Sequence, residues 1–193
     1  MPKERDIATK QTRSEKPIAH LPVNALATAR ETSLFEWTLT LDGLVENPSV
    51  FPLEQFNALP QVTDLSDFPG VSPQSKYDCQ WTGVAFTMIC DLVQPKPEAR
   101  FVSFTSVDGS SASVPLAHCL DDEVLVATQF AGEPIAHEHG GPIRIIIPTL
   151  SASKGTKAVK NITFFAEKPP GFHPEHDRHD WQEPAPRLRP RKE

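Results

Sequence analysis

"FEWTLTLDGLV", residues 35–45, decides how the rest of the chain is read. Phe35, Trp37, Leu39 and Leu41 alternate with Glu36, Thr38, Thr40 and Asp42. A period of two sends apolar side chains to one face and polar ones to the other, which describes a half-buried strand. The next segment, "NPSVFPLEQFNALP" (residues 47–60), reads as a turn followed by a short helix. Pro52 stands at a tolerated first-turn position and Pro60 marks the end.

The pattern continues outward from there. "SDFPGVSPQSKYDCQWTGV" (residues 66–84) reads as strand, loop and strand, with Pro69, Gly70, Ser72 and Pro73 in the loop. "FTMICDLVQP" carries its apolar residues on one face and stops before Pro95, giving a second helix. "ARFVSFTSVDGSSASVPL" is a strand, a turn at Asp108-Gly109 and another extended piece, with a brief helix around "PLAHCL". "EVLVATQF", "PIRIIIPTL" and "VKNITFFAE" are further strands, and the run Ile145-Ile146-Ile147 predicts burial on both faces. Short helices between many strands indicate a β-rich α+β domain.

The chain has 193 residues, of which 38% are hydrophobic and 20 are proline, so one folded body with irregular connections and tails is expected. Residues 1–16 are polar and are expected to be mobile; residues 17–168 form the body. Residues 169–193, rich in Pro, His and charge, are expected to form an extended tail. A net charge of -6 argues against a general nucleic-acid binder, which needs a basic face. The N-terminus has no signal-like apolar run and no segment approaches a membrane span. Cys79, Cys90 and Cys119 fit neither a disulfide framework nor a metal knuckle. They read as reduced structural thiols of a cytoplasmic protein with no membrane partner.

The residues alone offer no nucleophile beside a base and no phosphate-binding glycine loop. "HEHGG" (residues 137–141) puts two imidazoles on one side of an extended chain without a third ligand. His173, His176 and His179, with Asp177 and Asp180, would chelate zinc or nickel only if that polar, Pro174-containing stretch became helical.

Several phrases, in order, resemble the sulfite-oxidase-like molybdopterin-binding domain in its compact single-domain bacterial form. They are "AHLPV", "WTLTLDGLVENP", "LEQFNALPQVT", "DCQWTGV", "PKPEARFVSF", "DG…SVPL", "GEPIAHEHGGPIRIIIP" and "VKNITFF", within residues 17–172. The resemblance implies a fold of mixed β-sheets with short peripheral helices. It also implies a molybdenum cofactor, in which a pterin dithiolene and one protein Cys thiolate hold the metal for oxygen-atom transfer at sulfur compounds.

Carried over residue by residue, the resemblance breaks at the metal. The family's ligand Cys follows a "DFH" phrase; here Asp67-Phe68 is followed by Pro69 at the His and Gly70 at the Cys. The family's Trp before "K-Y-D" falls on Gln74, and its aromatic and basic phrase near residues 149–158 is mostly small residues here. Thr105, Val107 and Ser110 replace the family's His and Tyr positions around Asp108-Gly109, and Ile18-Ala19 replaces its Arg-Asn. Positions matching those that approach the pterin and its phosphate survive as His20, Asp108, His139, Arg144 and Lys157.

The expectation is a catalytically inactive member of the fold, with molybdopterin absent or weakly bound and a pocket for an anion or pterin phosphate. One alternative is a molybdenum-cofactor-dependent oxidoreductase that binds without a protein thiolate, with Cys79 or solvent at the open position. Another is a non-enzymatic interaction module using the emptied cleft or the basic tail.

Overall fold

The computed structural model describes residues 37–68, 76–148 and 156–169. The expectations for His20, Gly70, the phrase at 149–155 and both tails therefore lie outside the described residues.

Strand β1 (Thr38–Gly43) follows the alternation read from sequence: Leu39 and Leu41 are buried, while Thr38 is exposed. It joins β2 (Ser49–Pro52), β5 (Phe101–Ser106), β6 (Ser111–Pro115) and β10 (Val159–Phe165) in a sheet of order β2-β1-β10-β5-β6. Pairing is antiparallel except between β1 and β10, which run parallel with Leu41 opposite Ile162. The "SVFP" stretch expected as a turn is thus strand β2. Its pairing is imposed by the open edge of β1, a tertiary effect that local Pro-rich composition does not show.

The second sheet has the order β3-β4-β7-β8, from β3 (Val62–Phe68), β4 (Lys76–Ala85), β7 (Leu125–Phe130) and β8 (Glu133–Pro134). Strand β9 (Arg144–Ile146) also pairs with β7, and it is shorter than the "PIRIIIPTL" strand expected. Helix α1 (Leu53–Asn57) buries Phe56 against Phe51 in an edge-on aromatic contact. Helix α2 (Phe86–Val93) buries Phe86, Ile89 and Val93, an amphipathic stripe, and ends on Gln94 in a left-handed conformation just before Pro95. The brief helix expected at "PLAHCL" is a 3-10 turn, Leu116–Cys119.

Strand parity divides the interior into two clusters. The main core joins Leu39, Leu41, Phe104, Ile162 and Phe164 of the first sheet to Val84, Val126 and Ile145 of the second, with α2. On the second sheet's other face Cys79, Trp81, Leu125, Ala127, Phe130, Ile135 and Ile146 form a smaller cluster. Successive residues of β7 and β9 therefore feed opposite cores, which is why the isoleucine run is apolar without interruption. Parity also turns Arg144 toward the side of Trp81, away from the main core.

Candidate cation pocket beside Trp81

Arg144 opens β9 opposite the small Ala127 of β7. The small neighbour lets its side chain reach over the sheet, and its guanidinium carbon lies 5.3 Å from the Trp81 ring centroid. Trp81 in turn leans on Phe130, ring centroids 4.8 Å apart. Arg144 is only 3% exposed, and its Nη1 donates to the His139 carbonyl oxygen at 3.1 Å. Burial pushes its pKa down to about 10, while the nearby Cys79 thiol opposes that shift.

Lys157 is the backbone partner of Arg144 in an isolated antiparallel bridge. Its stretch of chain is fastened alongside residues 140–145. The Ile145 N–H donates to the Thr156 carbonyl at 3.0 Å, the Ala158 N–H to Gly140 at 2.7 Å and the Val159 N–H to Ile143 at 3.1 Å. Burial, and then the neighbouring Arg144 charge, hold the Lys157 ammonium below the usual lysine range. Its aliphatic stem lies over Gly140, where an added Cβ would come within 2.7 Å of the Lys157 Cβ. Thr156 beside it is buried, and its Oγ1 makes no hydrogen bond among the described residues.

His139 ends a 3-10 turn, His137–His139, and Gly140 follows in the left-handed region. Its imidazole is partly exposed, with Nε2 3.5 Å from the exposed Glu138 carboxylate. No group of three or more His, Cys, Asp or Glu that could hold a metal occurs among the described residues.

Of the site residues expected from sequence, the structure brings His139, Arg144 and Lys157 together. Asp108 sits on the β5–β6 turn, which reaches the same neighbourhood because the Val107 N–H donates to the Ala158 carbonyl at 3.0 Å. Its carboxylate, however, accepts from the Ser110 backbone N–H at 2.8 Å and the Ser110 hydroxyl at 2.6 Å. Those bonds, the side-chain one first, hold it below the usual carboxylate range. It serves the turn.

Sequence reading undervalued Trp81, Cys79 and Gly140. Trp81 was read as a core or sheet-face residue, and Cys79 as a structural thiol or, in one alternative, as a group at the open metal position; their shared parity on β4 was the signal that they lie on one face. The Gly140 contact with Lys157 has no local signal. Cys79 is fully buried, Cys119 is buried, and burial with Asp91 nearby pushes the Cys90 thiol up to about 12.

Two adjacent cations, one a planar fork fixed by a carbonyl and an aromatic ring, suit an anion with several oxygens. A pterin phosphate is such a group, and the described residues fit that end of a molybdopterin. No exposed thiol is offered for its metal end: Cys79 and Cys119 are buried and Cys90 is half-buried.

A model of the oxidoreductase molybdopterin binding domain matches residues 25–173. The "uncharacterized oxidoreductase" YuiH of Bacillus subtilis is 33% identical over 137 residues, covering 71% of this chain and 69% of YuiH. An NADPH nitrate reductase of Beauveria bassiana is 28% identical over 184 residues, covering 80% of this chain but 19% of the reductase. Among solved structures, the sulfane dehydrogenase SoxCD of Paracoccus pantotrophus aligns with a TM-score of 0.64 at 23% identity, covering 72% of this chain and 40% of that one. The chain thus spans well under half of the latter two proteins and most of YuiH. It belongs to the oxidoreductase molybdopterin-binding domain family.

Proposed function

We propose that this chain keeps the anion-binding end of a molybdopterin domain and has lost the metal-binding end, so that it performs no oxygen-atom transfer. The observation that carries this reading is the Arg144–Lys157 pair, two partly desolvated cations held side by side next to the His139 carbonyl. A buried like-charge pair costs stability on its own, and an oxyanion offsets that cost. His139 and His20 would add imidazole donors, and Asp108 would order the adjoining turn.

The loss of chemistry rests on residue type. Gly70 stands where the family's thiolate would be, and glycine has no ligand atom. The three cysteines offer no exposed thiolate in its place: Cys79 and Cys119 are buried, and Cys90 is held protonated. Free thiols without a disulfide also support a reducing, cytoplasmic setting. No helix among the described residues is long and apolar enough to cross a membrane.

The deciding measurement is molybdenum and pterin content, on protein made in a host that synthesises molybdopterin. The expected result is no stoichiometric molybdenum, with pterin weakly held or absent. Near-stoichiometric molybdenum that survives gel filtration overturns the reading.

One observation favours a second reading, a working oxidoreductase whose cofactor is held without Gly70. Cys79 lies close enough to Arg144 to influence the guanidinium. In this reading Cys79 would supply the missing thiolate once the small cluster around Trp81 opened. Molybdenum retained by the native chain and lost in Cys79→Ser distinguishes it.

A further inference from the structure

Strand β3 ends the second sheet: among the described residues its strand partner is β4, and its outer edge faces no other strand. An open edge presents a row of backbone N–H and C=O groups to any strand of fitting sequence. The pairing shifts by one residue between the Ser66–Cys79 and Phe68–Lys76 pairs, which puts the extra residue on β4 and leaves β3 regular. Large apolar groups are left outside, since Leu65 is 65% exposed and Val62 41%. The Asp64 Oδ2 atom is buried yet makes no hydrogen bond among the described residues.

We propose that β3 pairs antiparallel with β3 of a second copy of this chain, about a two-fold axis through Leu65, joining the second sheets of both copies into one. Along an edge strand, alternate residues turn their backbone groups outward, so two identical antiparallel strands pair only residues of equal parity. The axis must therefore pass through a residue. In "VTDLSDF" an axis on Leu65 engages the whole strand. It sets Leu65 against Leu65, Val62 against Phe68, Thr63 against Asp67 and Asp64 against Ser66. By residue type this register opposes apolar to apolar and each Asp to a Ser or Thr.

The other registers fail on charge or overlap. An axis on Asp64 or Asp67 opposes a carboxylate to itself. An axis on Ser66 sets Asp64 against Phe68 and Leu65 against Asp67, and one on Thr63 pairs only a short end of the strand. The two aspartates thus block the wrong registers and pass one. A single strand seam is smaller than the roughly 1,600 Å² of a standard interface, so the dimer is weak and concentration-dependent.

Residues on a two-fold axis face their own copies, at a Cα separation of about 4.5–5.5 Å, within reach of a disulfide. The test introduces Leu65→Cys into a Cys90→Ser background, with oxidised glutathione as the disulfide oxidant. Two protein thiols become one intermolecular disulfide as the oxidant is reduced to two glutathione thiols. The expected result is a dimer formed at least tenfold faster than from Val50→Cys, a comparably exposed site (59%) on the other sheet. The native chain is expected to sediment as a monomer–dimer mixture that shifts with concentration, and Leu65→Lys is expected to sediment as monomer. Leu65→Cys linking no faster than Val50→Cys overturns the proposal. So does a native chain that stays monomeric at near-millimolar concentration, or a dimer that survives Leu65→Lys.

Discussion

Arg144 and Lys157 are backbone partners across an antiparallel bridge, and the charge of the first depresses the pKa of the second. Like charges placed directly opposite one another destabilise a strand pair. Here the backbone bonds of Thr156, Ala158 and Val159 fix the arrangement regardless of that repulsion. The two cations are therefore set side by side by the backbone before any ligand arrives.

Removing the Arg144 charge tests this coupling directly. In Arg144→Gln the Lys157 pKa is expected to rise toward the ordinary lysine range, stopping short of it because burial, the larger cause, remains. A side-chain NMR titration of Lys157 reads the change. An unmoved titration would mean that the two side chains do not sense each other in solution.

Inorganic phosphate is expected to raise the unfolding temperature at neutral pH, where both cations are charged. The folded pKa of Arg144, about 10, lies below its ordinary value, so the unfolded chain keeps that proton to higher pH than the folded one. Without ligand, the Arg144 contribution to stability therefore improves as pH rises above about 10 and is unfavourable below it. The phosphate effect runs the other way and shrinks as Arg144 loses its proton. Calorimetric scans at neutral and strongly alkaline pH, with and without phosphate, read both signs. Equal phosphate shifts at the two pH values would remove Arg144 from the site.

Two glycines make a matched pair for the geometry of Lys157. Gly140 and Gly109 both have left-handed backbone, φ +84 and +85, so alanine at either costs about 1–2 kcal/mol of strain. Only at Gly140 does the new Cβ meet the Lys157 stem; around Gly109 there is nothing within 4 Å. Gly140→Ala is expected to lose both stability and the phosphate shift, and Gly109→Ala stability alone. If both variants keep the phosphate shift, the placement of Lys157 over Gly140 does not matter for binding.

The parts legible in the sequence were those governed by local period. Leu39 and Leu41 announced β1 by alternation, and Ile145-Ile146-Ile147 announced a strand with a core on each face. Strand β2 was illegible because "SVFP" between prolines has turn composition, and only the neighbouring edge of β1 makes it a strand. The grouping of His139, Arg144 and Lys157 came from family resemblance, since nothing local links residues joined by a tertiary bridge. Their surroundings depended on parity along β4, which sets Trp81 beneath the guanidinium and Cys79 on the same face.

Gly70→Cys tests the proposal that this chain lacks the thiolate of the metal end and nothing more. On the proposed reading a soft thiolate at that position would complete the metal end, and Arg144 and Lys157 would hold the phosphate end. If the phosphate end is intact, the variant made in a molybdopterin-producing host is expected to retain molybdenum that the native chain does not. The metal should be lost again when Arg144→Gln is added, because the two ends hold one ligand and their contributions are linked. If Gly70→Cys gains pterin without metal, Pro69 and Gln74, which the resemblance aligns with the family's His and Trp, become the next positions to change. If it gains neither, the cation pair serves some other anion, and the phosphate shift should then persist undiminished in Gly70→Cys.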